Sequence, residues 1–139
     1  VLKLSLHKDA LKDLDDLWEQ DPDTAADLEV FLEELSLSQD LMDRLTQHNF
    51  GSSRYIEPFH VAKWEDQQRR DNNLWRIKFW ELENVGLQYR VVYAFFPQSK
   101  HHYVLGIMPR KGRDFDYKHE DLRTQRMLRT YGELRETLR

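Results

Sequence analysis

The chain contains no cysteine, which excludes disulfides, thiolate metal ligands and cysteine nucleophiles and is compatible with a reducing compartment. Its five glycines are isolated from one another, so no glycine-rich phosphate loop can be written from them. No serine sits in the Gly-x-Ser-x-Gly setting of a nucleophile elbow. Prolines are few: Pro22, Pro97 and Pro109 fall at the boundaries of elements, and Pro58 confines its segment to a sheet edge. No apolar run approaches the roughly 18 residues that cross a bilayer. Nor does a cationic start lead into an apolar stretch and a small-residue cleavage site. The expectation is a cytoplasmic protein without a membrane segment.

What is present suits one core. The 139 residues are 40 % hydrophobic and 12 % aromatic, which predicts a single domain over 1–139, and 33 % are charged. The net charge of -4 conceals a polarity. Residues 1–50 hold 4 Lys/Arg against 13 Asp/Glu, and residues 51–139 hold 17 against 12. Segregation of this kind lets one face repel an anionic partner while another attracts it. An ordinary solvated acidic helical face produces the same numbers.

The opening VLKLSL alternates, placing Leu2, Leu4 and Leu6 on one side of a short strand. A helix starts near Asp9, with Leu11, Leu14, Leu17 and Trp18 at helical spacing and Asp13, Asp15 and Asp16 on the wet side. Asp21-Pro22 closes it and opens a second helix, striped by Ala25, Leu28, Phe31, Leu32 and Leu35. Ser36 or Ser38 caps a shorter third piece with Leu41, Met42 and Leu45. Gln47 to Ser53 reads as a loop, Tyr55 to Val61 as an edge strand because of Pro58, and Glu65 to Asn73 as irregular. Three strands follow, Leu74–Leu82, Leu87–Phe96 and His102–Met108. They are joined by turns at Glu83–Gly86 and Pro97–Lys100. A basic loop from Arg110 to His119 leads to a last helix with Leu122, Leu128, Tyr131, Leu134 and Leu138 on one side. The class predicted is α+β: a strand and a helical hairpin, then an antiparallel meander and a C-terminal helix.

Strand parity carries the first functional inference. Arg76 and Lys78 share a face, and Arg90 joins them if the Asn84–Gly86 turn sets that register, opposite Ile77, Val91 and Tyr93 in the core. Arg110, Lys111 and Arg113 follow the third strand. Cations gathered at that range repel unless an anion sits between them, so phosphate binding is physically sensible. They read equally well as separate surface cations, some paired with Glu81, Glu83, Asp114 or Asp116. Trp64, Trp75 and Trp80 offer stacking surfaces for bases; Trp75 reads as core, and Trp80 falls on the polar side. His101-His102 lacks a third ligand at metal spacing, and His7, His48, His60 and His119 are scattered.

The run Leu74-Trp75-Arg76-Ile77-Lys78, the Tyr-Arg-Val-Val-Tyr strand at 89–93 and Val104–Lys111 together resemble the meander of the RelE/ParE toxin superfamily. The opening strand and Asp9–Leu14 are similar to that family's first strand and helix. Residues 36–73 and the loop at 83–87 are longer than the family core. The resemblance implies the toxin of a toxin–antitoxin pair. In its ribonuclease branch such a toxin cleaves messenger RNA in the ribosomal A site without metal or cofactor, by attack of the ribose 2′-hydroxyl on the adjacent phosphate. It implies that Arg90 contacts the scissile phosphate, that Arg110 stabilises charge or protonates the leaving group, and that Lys78 holds or activates substrate. Tyr117 would stack on the base, with Arg76, Trp80, Lys111 and Arg113 binding RNA around it. Trp80 stands where the family has a second lysine. Related toxins use a Glu/His set, so Glu81, Asp114 or His119 are candidates for the acid–base pair. The implied partner is a cognate antitoxin, in a homo-oligomer or a heterotetramer with the antitoxin. A gyrase-poisoning toxin and a non-catalytic binding module are the alternatives.

Overall fold

Three polar side chains set the first helix starts in the computed structural model, which describes residues 1–53, 56–109 and 121–138. Strand β1 (Lys3–Leu6) runs into α1 (Lys8–Gln20), where His7 Nδ1 accepts the Asp9 N–H at 3.1 Å. Helix α2 (Pro22–Ser36) has Asp21 as its cap, accepting the Thr24 N–H at 3.3 Å and the Thr24 hydroxyl at 2.6 Å. Ser38 caps α3 (Gln39–Arg44), accepting the Leu41 N–H at 3.1 Å. Each cap satisfies an N–H that the helix leaves without an internal acceptor.

Then come β2 (Phe59–Lys63), α4 (Glu65–Arg69), β3 (Leu74–Phe79), α5 (Trp80–Glu83), β4 (Tyr89–Phe96), β5 (His101–Pro109) and α6 (Leu122–Thr137). The strands form one sheet in the order β1-β5-β4-β3-β2. β1 is parallel to β5, and the other pairs are antiparallel. The architecture is α+β, as the pattern predicted. Period-two alternation gives this sheet two cores. On one face Val61, Ile77, Val91, Tyr93 and Val104 pack on Leu14, Leu28 and Leu32 of α1 and α2. On the other, Leu74, Val92, Leu105 and Met108 pack on Met127 and Tyr131 of α6.

Several expectations are corrected. The strand expected over Leu74–Leu82 ends at Phe79, because Trp80 and Leu82 both bury when residues 80–83 coil into a helical turn, with the Asn84 N–H on Trp80 O at 2.8 Å. The edge strand expected at Tyr55–Val61 lies at Phe59–Lys63, with Pro58 just ahead of it where no ladder donor is needed; Tyr55 is outside the described residues. The segment from Glu65, expected to be irregular, begins with α4. Asp13, expected on the wet side of α1, is buried. In the last helix Leu122 is exposed, whereas Thr124, Met127, Thr130 and Tyr131 are buried. Leu128, Leu134 and Leu138 are partly buried against the same core as expected, and polar bonds the leucine spacing does not register, Arg126 to Asp13 and the Thr130 hydroxyl to Asp9, hold the helix beside them. Among the described residues no helix is long and apolar enough to cross a membrane.

Candidate cationic site on the sheet face

His60 stands directly opposite Lys78 in the β2–β3 ladder, and Ala62 opposite Arg76. Alternation turns these side chains away from the face that carries Val61 and Ile77. One step beyond the Ile77–Val91 pair, Arg90 joins them. Arg76, Lys78 and Arg90 therefore share a face, opposite Ile77, Val91 and Tyr93.

That the face is open at Arg90 is corrected. Arg90 is 1 % exposed, and its Nη1 donates to Glu83 Oε1 at 2.5 Å and to Tyr89 O at 3.0 Å. The cause is the α5 turn, which brings the Glu83 carboxylate, itself 8 % exposed, against the guanidinium. An ion in such surroundings is held by a neutralising partner, since desolvation costs several kcal/mol otherwise. Arg76 and Lys78 are half-buried.

Trp80 is not an open stacking surface either. It is buried, and its Nε1 donates to Gly51 O at 2.8 Å. The His60 ring stacks on it with centroids 5.8 Å apart, and the Lys78 ammonium lies 4.7 Å from its ring centre. The indole is thus a floor under an imidazole and an ammonium, the latter a cation–π contact. Gly51 is obligatory to that floor. Its φ is +75°, and a β-carbon there would meet Phe59 O at 1.8 Å.

His60 is the residue that sequence reading missed. It is half-buried, and its Nε2, shut off from solvent, has no hydrogen-bond partner among the described residues. Burial first, and then the charges of Lys78, Arg76, His48 and Arg90, hold its pKa below the ordinary 6.5. At neutral pH it is a neutral imidazole, able to take a proton, beside two cations. Placing β2 four residues later would have found it, because that register sets position 60 against position 78.

Glu81 is exposed on α5. Arg110, Lys111, Arg113, Asp114, Tyr117 and His119 lie outside the described residues. His101 and His102 point apart, as adjacent strand residues do. His101 Nε2 is 2.7 Å from Ser5 Oγ, while His102 is buried and its Nδ1–H donates to Lys3 O at 3.4 Å. Among the described residues no three His, Asp or Glu side chains gather as metal ligands.

Comparison of the chain with protein-family models, with curated proteins and with solved structures returns no match.

Proposed function

We propose that this chain is the toxin of a toxin–antitoxin pair and cleaves messenger RNA by internal attack of the ribose 2′-hydroxyl. The observation that carries the reading is His60, a neutral imidazole facing Lys78 across one ladder position with Arg76 beside it. That set supplies what the chemistry needs: a base for the 2′-hydroxyl and cations for the charge developing on phosphorus. His60 takes the 2′-hydroxyl proton as that oxygen bonds to phosphorus. The bond from phosphorus to the 5′-oxygen breaks, and the leaving oxygen takes a proton from the Lys78 ammonium. The products are a 2′,3′-cyclic phosphate and a 5′-hydroxyl.

Arg90, held by Glu83, acts on this site through its field rather than by contact. The resemblance to the RelE/ParE superfamily adds Arg110, Tyr117, Lys111 and Arg113 as the groups that grip the substrate. It also adds the ribosomal A site as the place of cleavage, the cytoplasm as the compartment and an antitoxin as the partner. The Arg90–Glu83 pair favours a second reading, a non-catalytic binding module on the same scaffold, because a neutralised arginine attracts phosphate less.

The test is a translating extract whose ribosomes are assembled with magnesium before EDTA is added. Added protein is expected to cut messenger RNA and leave 2′,3′-cyclic phosphate ends, with His60→Ala lowering the rate about 100-fold or more. Intact messenger RNA alongside gyrase-linked DNA breaks would move the protein to the gyrase-poisoning class. Neither outcome, with tight binding to a partner, would leave the binding module.

A further inference from the structure

A strand at the margin of a sheet presents unpaired N–H and C=O groups, and this fold closes nearly all of them. Along β2 the chain at Asn49 and Phe50 runs beside the strand. The Asn49 N–H donates to Val61 O at 2.9 Å, the Val61 N–H to Phe50 O at 2.9 Å, and the Lys63 N–H to His48 Nδ1 at 3.0 Å. Where β5 outruns β1, Asp13 accepts the Ile107 N–H at 3.0 Å and Arg123 donates to Ile107 O at 3.2 Å. At the start of β1 the Gln39 side-chain amide imitates a neighbouring strand, accepting the Leu2 N–H at 2.8 Å and donating to Leu2 O at 2.9 Å.

Leu4 and Leu6 escape this closure. The Lys3 and His7 N–H groups turn toward β5, bonding Lys100 O at 3.0 Å and Val104 O at 2.9 Å, so alternation turns the peptide groups of Leu4 and Leu6 outward. Both residues border a cleft of about 280 Å³, floored by Leu11, Leu14 and Leu32 of α1 and α2. Leu11 is 47 % exposed, an apolar surface left in water. The α2 wall carries Glu29 and Glu33, one turn apart, and among the described residues no Lys or Arg lines the cleft. Like charges at that spacing repel, which a basic ligand relieves.

We propose that the Leu4–Leu6 edge and this cleft form a docking site for an extended, basic segment of a partner protein. The segment adds beside β1 as a further strand. On the side it turns toward α1 and α2, where every second side chain falls, an apolar one sinks among the leucines and a Lys or Arg two positions on meets Glu29 and Glu33. Main-chain bonds supply affinity in this mode, and the alternating side chains supply specificity. The surrounding charge has the right sign, since residues 1–50 carry 13 acidic against 4 basic side chains. The surface lies at the margin opposite β2 and His60, so it stands apart from the reading of the cationic face.

Isotope-labelled full chain tests this by NMR, titrated with a short capped peptide whose odd positions alternate valine and lysine with threonine between them; the same peptide with glutamate for lysine is the control. The lysine peptide is expected to shift the Leu4, Leu6, Glu29 and Glu33 amides and to slow hydrogen exchange at Leu4 and Leu6. The glutamate peptide should bind about tenfold more weakly or less. Glu29→Lys combined with Glu33→Lys should lower affinity for the lysine peptide by about the same factor. Both positions are exposed, so the melting temperature should stay unchanged. Equal binding of the two peptides, shifts confined to other strands, or no shift up to the solubility limit would overturn the proposal. Broadening of Leu4 and Leu6 that grows with protein concentration in the absence of peptide would overturn it in favour of a second copy of this chain.

Discussion

Burial lowers the basicity of His60 and His102 alike, with different consequences. For His60 the lowered pKa preserves the neutral base at physiological pH. Cleavage should therefore be flat with pH near neutrality and fall on the acid side as pH drops through a pKa below 6.5. His60→Ala should erase that acid limb together with the rate, whereas a purely structural role would lower the rate and keep the limb. His102 is 1 % exposed and carries a pKa drawn down to about 4, by burial chiefly and by the nearby His101. Its unfolded value is about 6.5, so the unfolded chain binds the proton first as pH falls. The stability present above about pH 6.5 is lost progressively down to about pH 4. At about 1.4 kcal/mol per pH unit, a urea melt at pH 5 should show roughly 2 kcal/mol less stability than at pH 7 from this group. His102→Leu should remove that slope, and an unchanged slope would assign the loss to other groups. Neither histidine is distinguishable in the sequence from the four around it, because their surroundings are made by strands remote in the chain.

Element starts were largely legible, because caps are local chemistry. Asp21-Pro22 is where the pattern predicted it, Ser38 is one of the two serines it offered, and the helix expected to start near Asp9 starts one residue earlier at Lys8, capped by His7. The α5 turn was not legible. Residues 80–83 alternate apolar and acidic like the strand before them, and only burial of Trp80 and Leu82 on the folded sheet selects the coil. That turn decides the site, since it buries Arg90 against Glu83 and lays Trp80 under His60. Its anchor is Gly51, whose carbonyl receives the indole N–H. Gly51→Ala places a β-carbon 1.8 Å from Phe59 O at a φ of +75°, so the loop must move. A loss above about 2 kcal/mol is expected in thermal melts, with altered Trp fluorescence. Gly86→Ala is the control: its φ is +81° with nothing within 4 Å of the added atom, so only about 1 kcal/mol of backbone strain should appear. Equal losses at the two positions would remove Gly51 from this role.

The halves of the chain are clasped by a buried ion pair that spans the sheet's margin. Asp13 of α1 accepts two bonds from Arg126 of α6, at 2.8 and 2.7 Å, and the Ile107 N–H of β5 at 3.0 Å. These bonds to Asp13, ahead of the charge of Asp13 and Asp9, hold the Arg126 guanidinium more firmly protonated than usual. Removing Asp13 costs Arg126, about a quarter exposed, its two shortest bonds and leaves it the Leu105 carbonyl and the more distant Asp9, while the Ile107 N–H loses its acceptor. Asp13→Leu should therefore lose about 3 kcal/mol, whereas Asp13→Leu with Arg126→Leu should lose less than the single variant. Additive losses in denaturant titrations would show that the two are not coupled. Helix α6 is thus held by a polar contact as well as by its apolar stripe, and its deepest residues are Thr124, Met127, Thr130 and Tyr131, with Leu128, Leu134 and Leu138 partly buried beside them.

Alternation and capping act over a few residues, so the sequence alone yielded the α+β class, the order of the strands and the longer helices, the edge position of β2 and the shared face of Arg76, Lys78 and Arg90. The same parity could not say how deep any of them lies. Depth depends on what crosses the sheet from elsewhere in the chain: α5 covering Arg90, the Gly51 loop fastening Trp80, and α6 reaching Asp13 across the strands. His60 came to face Lys78 only when β2 registered with β3, and the peptide groups of Leu4 and Leu6 turn outward only because β1 lies at the margin of the sheet. Burial and partnership are sums over residues distant in the chain, and packing alone performs that sum.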